Sequence, residues 1–518
     1  MARAGGSRNI PLAPNTTPAD NLIFRDFDGI NTEGGRQAIG KTQFSWLENV
    51  IPIGFANLKA VPQISAVLAT IPASRVIYYR REYNINGTNY LFVACTDGSA
   101  WQVLLESPWT VTEIAAAGTF SGTATQVAQW KNERVLIIDT NANGYRDWDG
   151  ATLTTLSGTT SAPAGGTCIA TYGGCVWIVI ATGNGRTIAF STAASYSDFT
   201  GNGGSTTITD ETLTSSIQQF LVANNFLYFF GVDSINVIAD VQVVGGVKTF
   251  SNTNLVANSG SNFPQSVIAY FRSVWYMDNS GIYALYGATP RKVSDDLDGI
   301  FERINFDEPI TAGTVTLYNK LCVCYNVTYN DPEEGDRQIV LVYFGKKWLV
   351  ASQSTEVDGI ATSHGGADML FGTLNSDVYE LFSDTEAEIS QTIQSRLWDF
   401  DDFISVKQAM QFGVEVNLPG GEGDITVTVD TERFEQAPSV GFGGSFEFVW
   451  FNSVGDSFSW DNSLGADFTW LVSGYLWFQG NVEVQGHYLG FTITSMEPQI
   501  TYQGMQMQYR KLPAGWGV

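Results

Sequence analysis

Residues 273–287 read SVWYMDNSGIYALYG. Strand-forming residues precede a polar turn that ends in Gly281, and further strand formers follow it. Apolar and aromatic residues on both sides of an Asp/Asn/Gly turn predict a β-hairpin. This stretch decides the fold because the same pattern recurs along the chain.

Two close copies of the hairpin lie at residues 90–104 (YLFVACTDGSAWQVL) and 368–382 (DMLFGTLNSDVYELF). Looser copies lie between them. The anchor residues on the first strand of each hairpin are spaced roughly 40–50 positions apart, and they are Leu91, Val135, Val176, Leu227, Val274, Leu321 and Met369. This period, built from short strands, predicts a β-propeller with one four-stranded blade per repeat. Seven anchors predict six or seven blades.

The composition favours an all-β protein. Aromatic residues make up 13% of the chain and charged residues only 15%, and there are 53 glycines. Such a chain has large buried faces and many tight turns. The net charge of −25 argues against binding nucleic acid through its phosphates, which requires clusters of Lys and Arg. The five cysteines are an odd number spread over a long chain, which does not indicate a disulfide framework.

The chain divides into three predicted parts. Residues 1–70 form an N-terminal arm and interdomain segment, and residues 71–385 form the propeller. Beyond residue 385 the period stops, and short strands between Gly-rich turns predict a β-sandwich-like C-terminal domain at 386–518 with an aromatic-rich insertion at 440–480. One short helix is expected after Ser294, a plausible N-cap.

The N-terminal segment contains an apolar run that is interrupted by Pro52 and Gly54. It does not match the blade repeat, so it has no evident partner strand of its own. We therefore expect it to pack on a neighbouring domain or on a neighbouring subunit. The candidate assembly contacts are Phe44, Trp46, Leu47, Ile51 and Ile53.

The insertion at 440–480 has no Lys or Arg and is rich in aromatic residues. One interpretation is a hairpin that packs on its own domain. The other is a surface covered by another molecule, either a subunit contact or a tip that faces a cell surface. The candidate tip aromatics are Phe446, Trp450, Phe451, Phe458, Trp460, Phe468 and Trp470.

Signatures of catalysis and cofactor binding are weak in this sequence. His364 and His487 are the only histidines, and neither has a second histidine at metal-ligand spacing. There is no nucleophile elbow, phosphate loop or zinc signature. We expect no enzymatic activity, no metal site and no cofactor.

One stretch partly matches a calcium-binding loop. Residues 139–150 read DTNANGYRDWDG, and Asp139, Asn141 and Asn143 stand at ligand positions of such a loop, with Asp147 at its ninth position. Gly150 occupies the position where a bidentate Glu is needed. The Asn143–Gly144 pair also suits a blade hairpin, which is the interpretation that we favour over calcium binding.

Three further stretches carry a resemblance to a known family. They are residues 44–62 (FSWLENVIPIGFANLKAVP), 190–201 (FSTAASYSDFTG) and 486–510 (GHYLGFTITSMEPQITYQGMQMQYR). Together they resemble the tail nozzle, or tail tubular, proteins of short-tailed bacteriophages. The insertion at 440–480 matches no pattern of that family.

The resemblance implies a structural virion protein without catalytic residues. It would be assembled in the host cytoplasm into a homohexameric ring in the phage tail. The ring would lie below the portal and adaptor proteins, carry other tail parts such as fibres, and conduct double-stranded DNA during genome ejection. The tip would be a possible contact with the host outer surface.

The acidic charge suits a DNA conduit, because an acidic wall does not hold the negatively charged duplex. Some carboxylates would then line the channel. The candidate channel acids fall into three clusters, which are Asp295, Asp296 and Asp298; Asp331, Glu333, Glu334 and Asp336; and Asp399, Asp401 and Asp402.

Two other functions remain open from the sequence. One is a propeller-type virion protein that binds a receptor or glycan, with the aromatic tip stacking on sugars. The other is a propeller hydrolase that uses a pair of carboxylates. A sixfold ring with a central bore would indicate the nozzle, a trimer would indicate the receptor-binding protein, and sugar hydrolysis would indicate the enzyme.

Overall fold

The computed structural model describes residues 19–54, 57–362, 369–419, 423–432, 439–442, 450–451, 457–458 and 475–512. Most of this part of the chain is β-strand, and no helix in it is long and apolar enough to cross a membrane. The N-terminal segment supplies β1 (Asp20–Phe24), β2 (Phe44–Glu48), β3 (Val50–Ile53), β4 (Asn57–Ala60) and β5 (Ala69–Thr70).

Each of the next seven units has the strand order of a propeller blade. Blades one to three comprise β6 (Ile77–Ile85), β7 (Thr88–Cys95), β8 (Ala100–Leu104) and β9 (Val111–Ala115); β10 (Gln126–Trp130), β11 (Arg134–Ile138), β12 (Arg146–Trp148) and β13 (Leu153–Thr155); and β14 (Gly166–Tyr172), β15 (Cys175–Ile180), β16 (Thr187–Phe190) and β17 (Gly204–Thr207). In each blade, consecutive strands are antiparallel neighbours.

Blades four and five comprise β18 (Gln219–Ala223), β19 (Phe226–Phe230), β20 (Ser234–Val244) and β21 (Val247–Ala257); and β22 (Ile268–Tyr270), β23 (Ser273–Asp278), β24 (Gly281–Tyr286) and β25 (Thr289–Lys292). The short helix α1 (Asp298–Phe301) follows, preceded by a 3-10 turn. Blades six and seven comprise β26 (Thr311–Leu317), β27 (Lys320–Asp331), β28 (Gly335–Phe344) and β29 (Lys347–Ala351); and β30 (Gly359–Thr362), β31 (Leu370–Leu374) and β32 (Asp377–Leu381).

The blades close into a ring. The first strand of each blade contacts the first strand of the next blade, and β30 of blade seven contacts β6 of blade one. Blade seven is completed by β5, in which Ala69 pairs with Val378. The predicted propeller is therefore confirmed, and the described residues form seven blades, closed by a strand from the N-terminal segment.

The hairpins that revealed the repeat are the two middle strands of the blades. The hairpin of residues 273–287 is β23 and β24, in which Trp275 pairs with Ala284. Middle strands pack between neighbouring blades on both faces, so their side chains are apolar on both faces. Edge strands lack this signal, which explains why the sequence showed two strands of each blade and not four.

The C-terminal part forms a β-sandwich. Its strands are β33 (Gln391–Ser395), β34 (Lys407–Asn417), β35 (Ile425–Thr431), β36 (Ser439–Phe442), β37 (Trp450–Phe451), β38 (Ser457–Phe458), β39 (Tyr475–Gly486), β40 (Leu489–Ser495) and β41 (Thr501–Lys511). One sheet has the order β3-β4-β41-β34-β39, with β1 also paired to β41. The other continues from blade six as β29-β2-β33-β40-β35-β36. The two sheets meet where the rings of Phe412 and Phe491 lie 5.1 Å apart.

The expectation that the apolar N-terminal run lacks partner strands is wrong. β2 pairs antiparallel with β33, and Glu48 pairs in parallel with Val350 of blade six. β3 and β4 form a hairpin in which Ile51 pairs with Lys59. The partners of β2 lie about 300 and 350 positions away in sequence, so the local sequence pattern did not reveal them.

Candidate functional site

A buried charge network joins the propeller to the sandwich. Glu48 of β2 is 8% exposed, and its carboxylate accepts hydrogen bonds from Arg337 of blade six at 3.0 and 3.4 Å. The indole N–H of Trp46 donates to the same carboxylate at 2.6 Å, and the hydroxyl of Ser352 donates to it as well. Arg337 also pairs with Asp331 at 3.2 Å. The network therefore ties β2 to two strands of blade six.

Most of the candidate assembly contacts are buried in the interior of the folded protein. Phe44, Leu47 and Ile51 are fully buried in the core shared by blade six and the sandwich. Trp46 and Ile53 are partly buried against the same core. The packing on a neighbouring domain is therefore present, whereas Phe44, Leu47 and Ile51 are not accessible to a second subunit.

The first cluster of candidate channel acids lies on the helical segment after blade five. Asp295 is exposed, and Asp298 pairs with Lys292 at 2.5 Å. Asp296 is half-buried and accepts a hydrogen bond from Asn31 at 3.0 Å. Burial and the neighbouring carboxylates raise the pKa of Asp296. Asp295 is the member of this cluster that is most accessible to solvent.

The second cluster lies at the turn between β27 and β28. Glu333 and Glu334 are exposed, and Asp336 accepts a hydrogen bond from Asn330 at 2.7 Å. Burial raises the pKa of Asp331, but hydrogen bonds from the backbone of Glu333 and Glu334 and the charge of Arg337 outweigh it, so the pKa is lowered. Asp331 therefore takes part in the interdomain network, and Glu333, Glu334 and Asp336 are the exposed members of the cluster.

The third cluster lies at the rim of the sandwich. Asp401 is exposed and 3.8 Å from Lys41, and Asp402 is 3.5 Å from Lys511. Hydrogen bonds from Ser405 lower the pKa of Asp402 well below its usual range. Asp399 lines a cavity of about 340 Å³ beside Phe400. Among the described residues, no hydrogen bond or ion pair joins one acidic cluster to another.

The aromatic insertion contributes only fragments to the described structure. Trp450 and Phe458 are paired backbone partners in the short β37–β38 hairpin, in which Phe451 also takes part. Phe446, Trp460, Phe468 and Trp470 lie outside the described residues, as does His364.

The stretch that resembles a calcium loop connects β11 and β12. The carboxylate of Asp139 accepts hydrogen bonds from the hydroxyl groups of Ser121 at 2.8 Å and Thr125 at 2.9 Å. Asp147 instead forms an ion pair with Arg134. A Cβ at Gly144 would lie 2.1 Å from the carbonyl oxygen of Asp139, so the turn requires glycine. Within the described ranges, no three Asp, Glu, His or Cys side chains are grouped as metal ligands.

Two buried charged residues at the inner strand of blade one were not singled out by the sequence. Arg80 and Glu82 alternate along β6, so they share a face, and they are 6% and 7% exposed. Arg80 donates to the backbone carbonyl of Tyr78 at 3.2 Å and approaches Gly359 of blade seven closely. Burial raises the pKa of Glu82 to about 8. The sequence did contain a signal, because three consecutive charged residues, 80–82, interrupt a strand of mostly apolar and aromatic residues.

Exposed apolar side chains gather at the turns of blades four and five. Phe226 begins β19, and Phe271 lies between β22 and β23 with 74% of its surface exposed. A hydrogen bond from Asn224 to the carbonyl oxygen of Arg272 joins these two turns. The long β20–β21 hairpin exposes further valines at its tip, which are Val243, Val244 and Val247.

No family model matches the chain, and no curated protein matches it. Solved structures that are similar include AofleA from Arthrobotrys oligospora (13% identity, TM-score 0.34, 60% of this chain and 95% of that one). Others are BBS1N in complex with ARL6DN (11%, TM-score 0.39, 63% and 99%) and YCF48 bound to D1 peptide (9%, TM-score 0.36, 63% and 100%). The strands of the chain itself define its class, which is that of the β-propeller proteins.

Proposed function

We propose that this protein is a structural subunit of a bacteriophage tail nozzle. In this proposal six copies form a ring in the tail, below the portal and adaptor proteins. The ring passes double-stranded DNA without sequence-specific binding and carries other tail proteins, such as fibres. The subunit has no catalytic role.

The observation that carries the proposal is that two of the stretches resembling nozzle proteins lie next to each other in the fold. Residues 44–62 and 486–510 are more than 400 positions apart, yet both belong to the sandwich. Leu58 of β4 pairs with Tyr502 of β41, and β33 lies between β2 and β40 in the other sheet. Two of the three stretches that resemble nozzle proteins therefore build one structural unit, as expected if they reflect a shared architecture, and the third, residues 190–201, lies between β16 and β17 of blade three.

The accessible surfaces also support a ring. Exposed apolar patches on a protein surface usually mark contacts with other molecules. With Phe44, Leu47 and Ile51 buried, the turns around Phe226 and Phe271 are the better choice for the contact between subunits. The exposed candidate acids remain available for a channel wall, and they are Asp295, Glu333, Glu334, Asp336 and Asp401.

Native mass spectrometry of the purified full chain tests this proposal. We expect a hexamer, and Phe271→Ser should reduce the hexamer fraction because it removes an exposed aromatic side chain from the contact. Met496→Ser is the matched control, because Met496 is a half-exposed apolar residue on the sandwich. A stable monomer or trimer at concentrations where the virion assembles would contradict the proposal.

A second candidate function is a propeller-type virion protein that binds a glycan. It is favoured by a polar groove between blades three and four, described below. A trimer that binds sugars and lacks a bore would support this candidate over the nozzle.

A further inference from the structure

The groove lies at the outer rim of the propeller, between blades three and four. One wall is the end of β17 and the residues after it, including Thr206, Thr209 and Asp210. The other wall is β21, where Phe250, Asn252 and Asn254 alternate along the strand and so share a face. The cavity volume is about 430 Å³, within the usual range for small-molecule sites.

One carboxylate organises the polar groups of this groove. Asp210 accepts hydrogen bonds from the backbone N–H and hydroxyl of Thr212 at 2.9 and 2.8 Å. It also accepts from the amides of Asn236 at 2.8 Å and Asn254 at 2.6 Å. Burial raises the pKa of Asp210, but these hydrogen bonds outweigh it and lower the pKa to about 2. Asp210 is therefore ionised at neutral pH, and its accepting capacity is filled.

This arrangement fixes what the other groups offer a ligand. The amide nitrogen of Asn254 donates to Asp210 and, at 2.6 Å, to the hydroxyl of Thr212, so its amide oxygen is left as an acceptor. The side chains of Thr206, Thr209 and Asn252 make no hydrogen bond to any described residue. They present both donors and acceptors to the groove.

The aromatic residue in the groove is held rigidly. The ring of Phe250 packs edge-on against Trp177, with centroids 5.2 Å apart, and against Phe190 at 5.5 Å. Such a ring offers a flat apolar surface beside the amides. The groove thus combines one fixed aromatic ring with several amide and hydroxyl groups.

The lining also excludes several kinds of ligand. No Lys or Arg is among the described lining residues, and the charge of Asp210 disfavours phosphate, sulfate and carboxylate groups. A single carboxylate with a filled shell does not hold a cation. A purely apolar ligand would leave the amides and hydroxyls of the walls unpaired. What fits is a neutral molecule that is rich in hydroxyl groups and has an apolar face.

We propose that this groove binds a neutral saccharide unit. Its hydroxyl groups pair with Asn252, Asn254 and the threonines, and its C–H face lies on Phe250. Asp210 is a positioning residue that holds Asn254 in place. The saccharide site does not depend on assembly into a hexameric ring, since a nozzle subunit and a receptor-binding protein could both contain it.

Saturation-transfer NMR on the full chain tests the proposal with glucose, galactose, mannose, fucose and N-acetylglucosamine, and with glucuronic acid as an acidic probe. We expect transfer to at least one neutral sugar and little to glucuronic acid. Asn252→Ala should weaken binding by about tenfold, the effect of losing one or two hydrogen bonds. Thr253→Ala is the control, because Thr253 is exposed on the opposite face of β21.

Three outcomes would overturn the proposal. They are no transfer to any neutral sugar, a preference for glucuronic acid, and equal loss of binding in the Asn252→Ala and Thr253→Ala variants. Whether the chain forms a hexamer is measured separately, so failure of this site is distinguishable from failure of the ring.

Discussion

Glu82→Gln should make the propeller less sensitive to alkaline pH. Glu82 is buried on the inner strand β6, and neither carboxylate oxygen has a hydrogen-bond partner among the described residues. Burial raises its pKa from 4.5 to about 8, because the charged form is poorly solvated. Glutamine keeps the shape and removes the charge.

The sign of the effect follows from proton linkage. The folded state holds the proton of Glu82 more tightly than the unfolded state does. The stabilising contribution of this proton is therefore fully present below pH 4.5, the ordinary pKa of the group. This contribution is lost as the pH rises towards about 8. Between pH 5.5 and 9 the loss has a ceiling of about 3 kcal/mol, since one pKa unit corresponds to about 1.4 kcal/mol. We expect a loss of about 2–3 kcal/mol for the wild type, and none from this residue in Glu82→Gln.

Urea unfolding followed by tryptophan fluorescence measures the effect, and pH 5.5 keeps the protein above its isoelectric pH of about 4.3. Glu113→Gln is the control, because Glu113 is exposed on β9 of the same blade. The difference in unfolding free energy between Glu82→Gln and wild type should grow as the pH rises. If it stays constant, or grows equally for Glu113→Gln, the buried carboxylate is not the cause.

Three other predictions concern the domain junction, the hairpin and the channel. Arg337→Met leaves Glu48 buried without its cation and should cost about 3–5 kcal/mol of stability; an unchanged urea midpoint would refute this. Because Asp139 is bonded to hydroxyl groups, adding EDTA or calcium should leave the melting temperature unchanged, and a drop with EDTA that calcium reverses would show a calcium site. Glu333→Lys or Asp295→Lys should leave assembly intact but slow genome ejection at low salt, with recovery as salt screens the charge; ordinary ejection by both variants would argue against an acidic channel wall.

The sequence predicted those features of the fold that are local. The middle hairpins of the blades were recognisable because both of their faces are buried, as for Trp275 and Tyr276. A short helical segment after Ser294 was predicted, and its residues Leu297 and Ile300 are buried. Ser294 does not cap it, because its hydroxyl instead accepts a hydrogen bond from the backbone N–H of Ile282.

Strand pairing between distant parts of the chain could not be predicted from the sequence. The short strand β2 is stabilised by partners from blade six and from the sandwich, and nothing in its own sequence specifies either one. The sequence did not reveal the polar groove for the same reason, since Asp210 lies in the segment between blades three and four, Asn254 lies on the last strand of blade four, and the two meet only in the folded propeller. Charged residues within an apolar strand, such as Arg80 and Glu82, are a signal that the sequence did offer.

An image of the purified oligomer by electron microscopy tests the central claim most directly. A nozzle subunit should give a ring of six subunits around a continuous bore wide enough to pass a DNA duplex. A trimer, or a ring whose axis is blocked by protein, would contradict it.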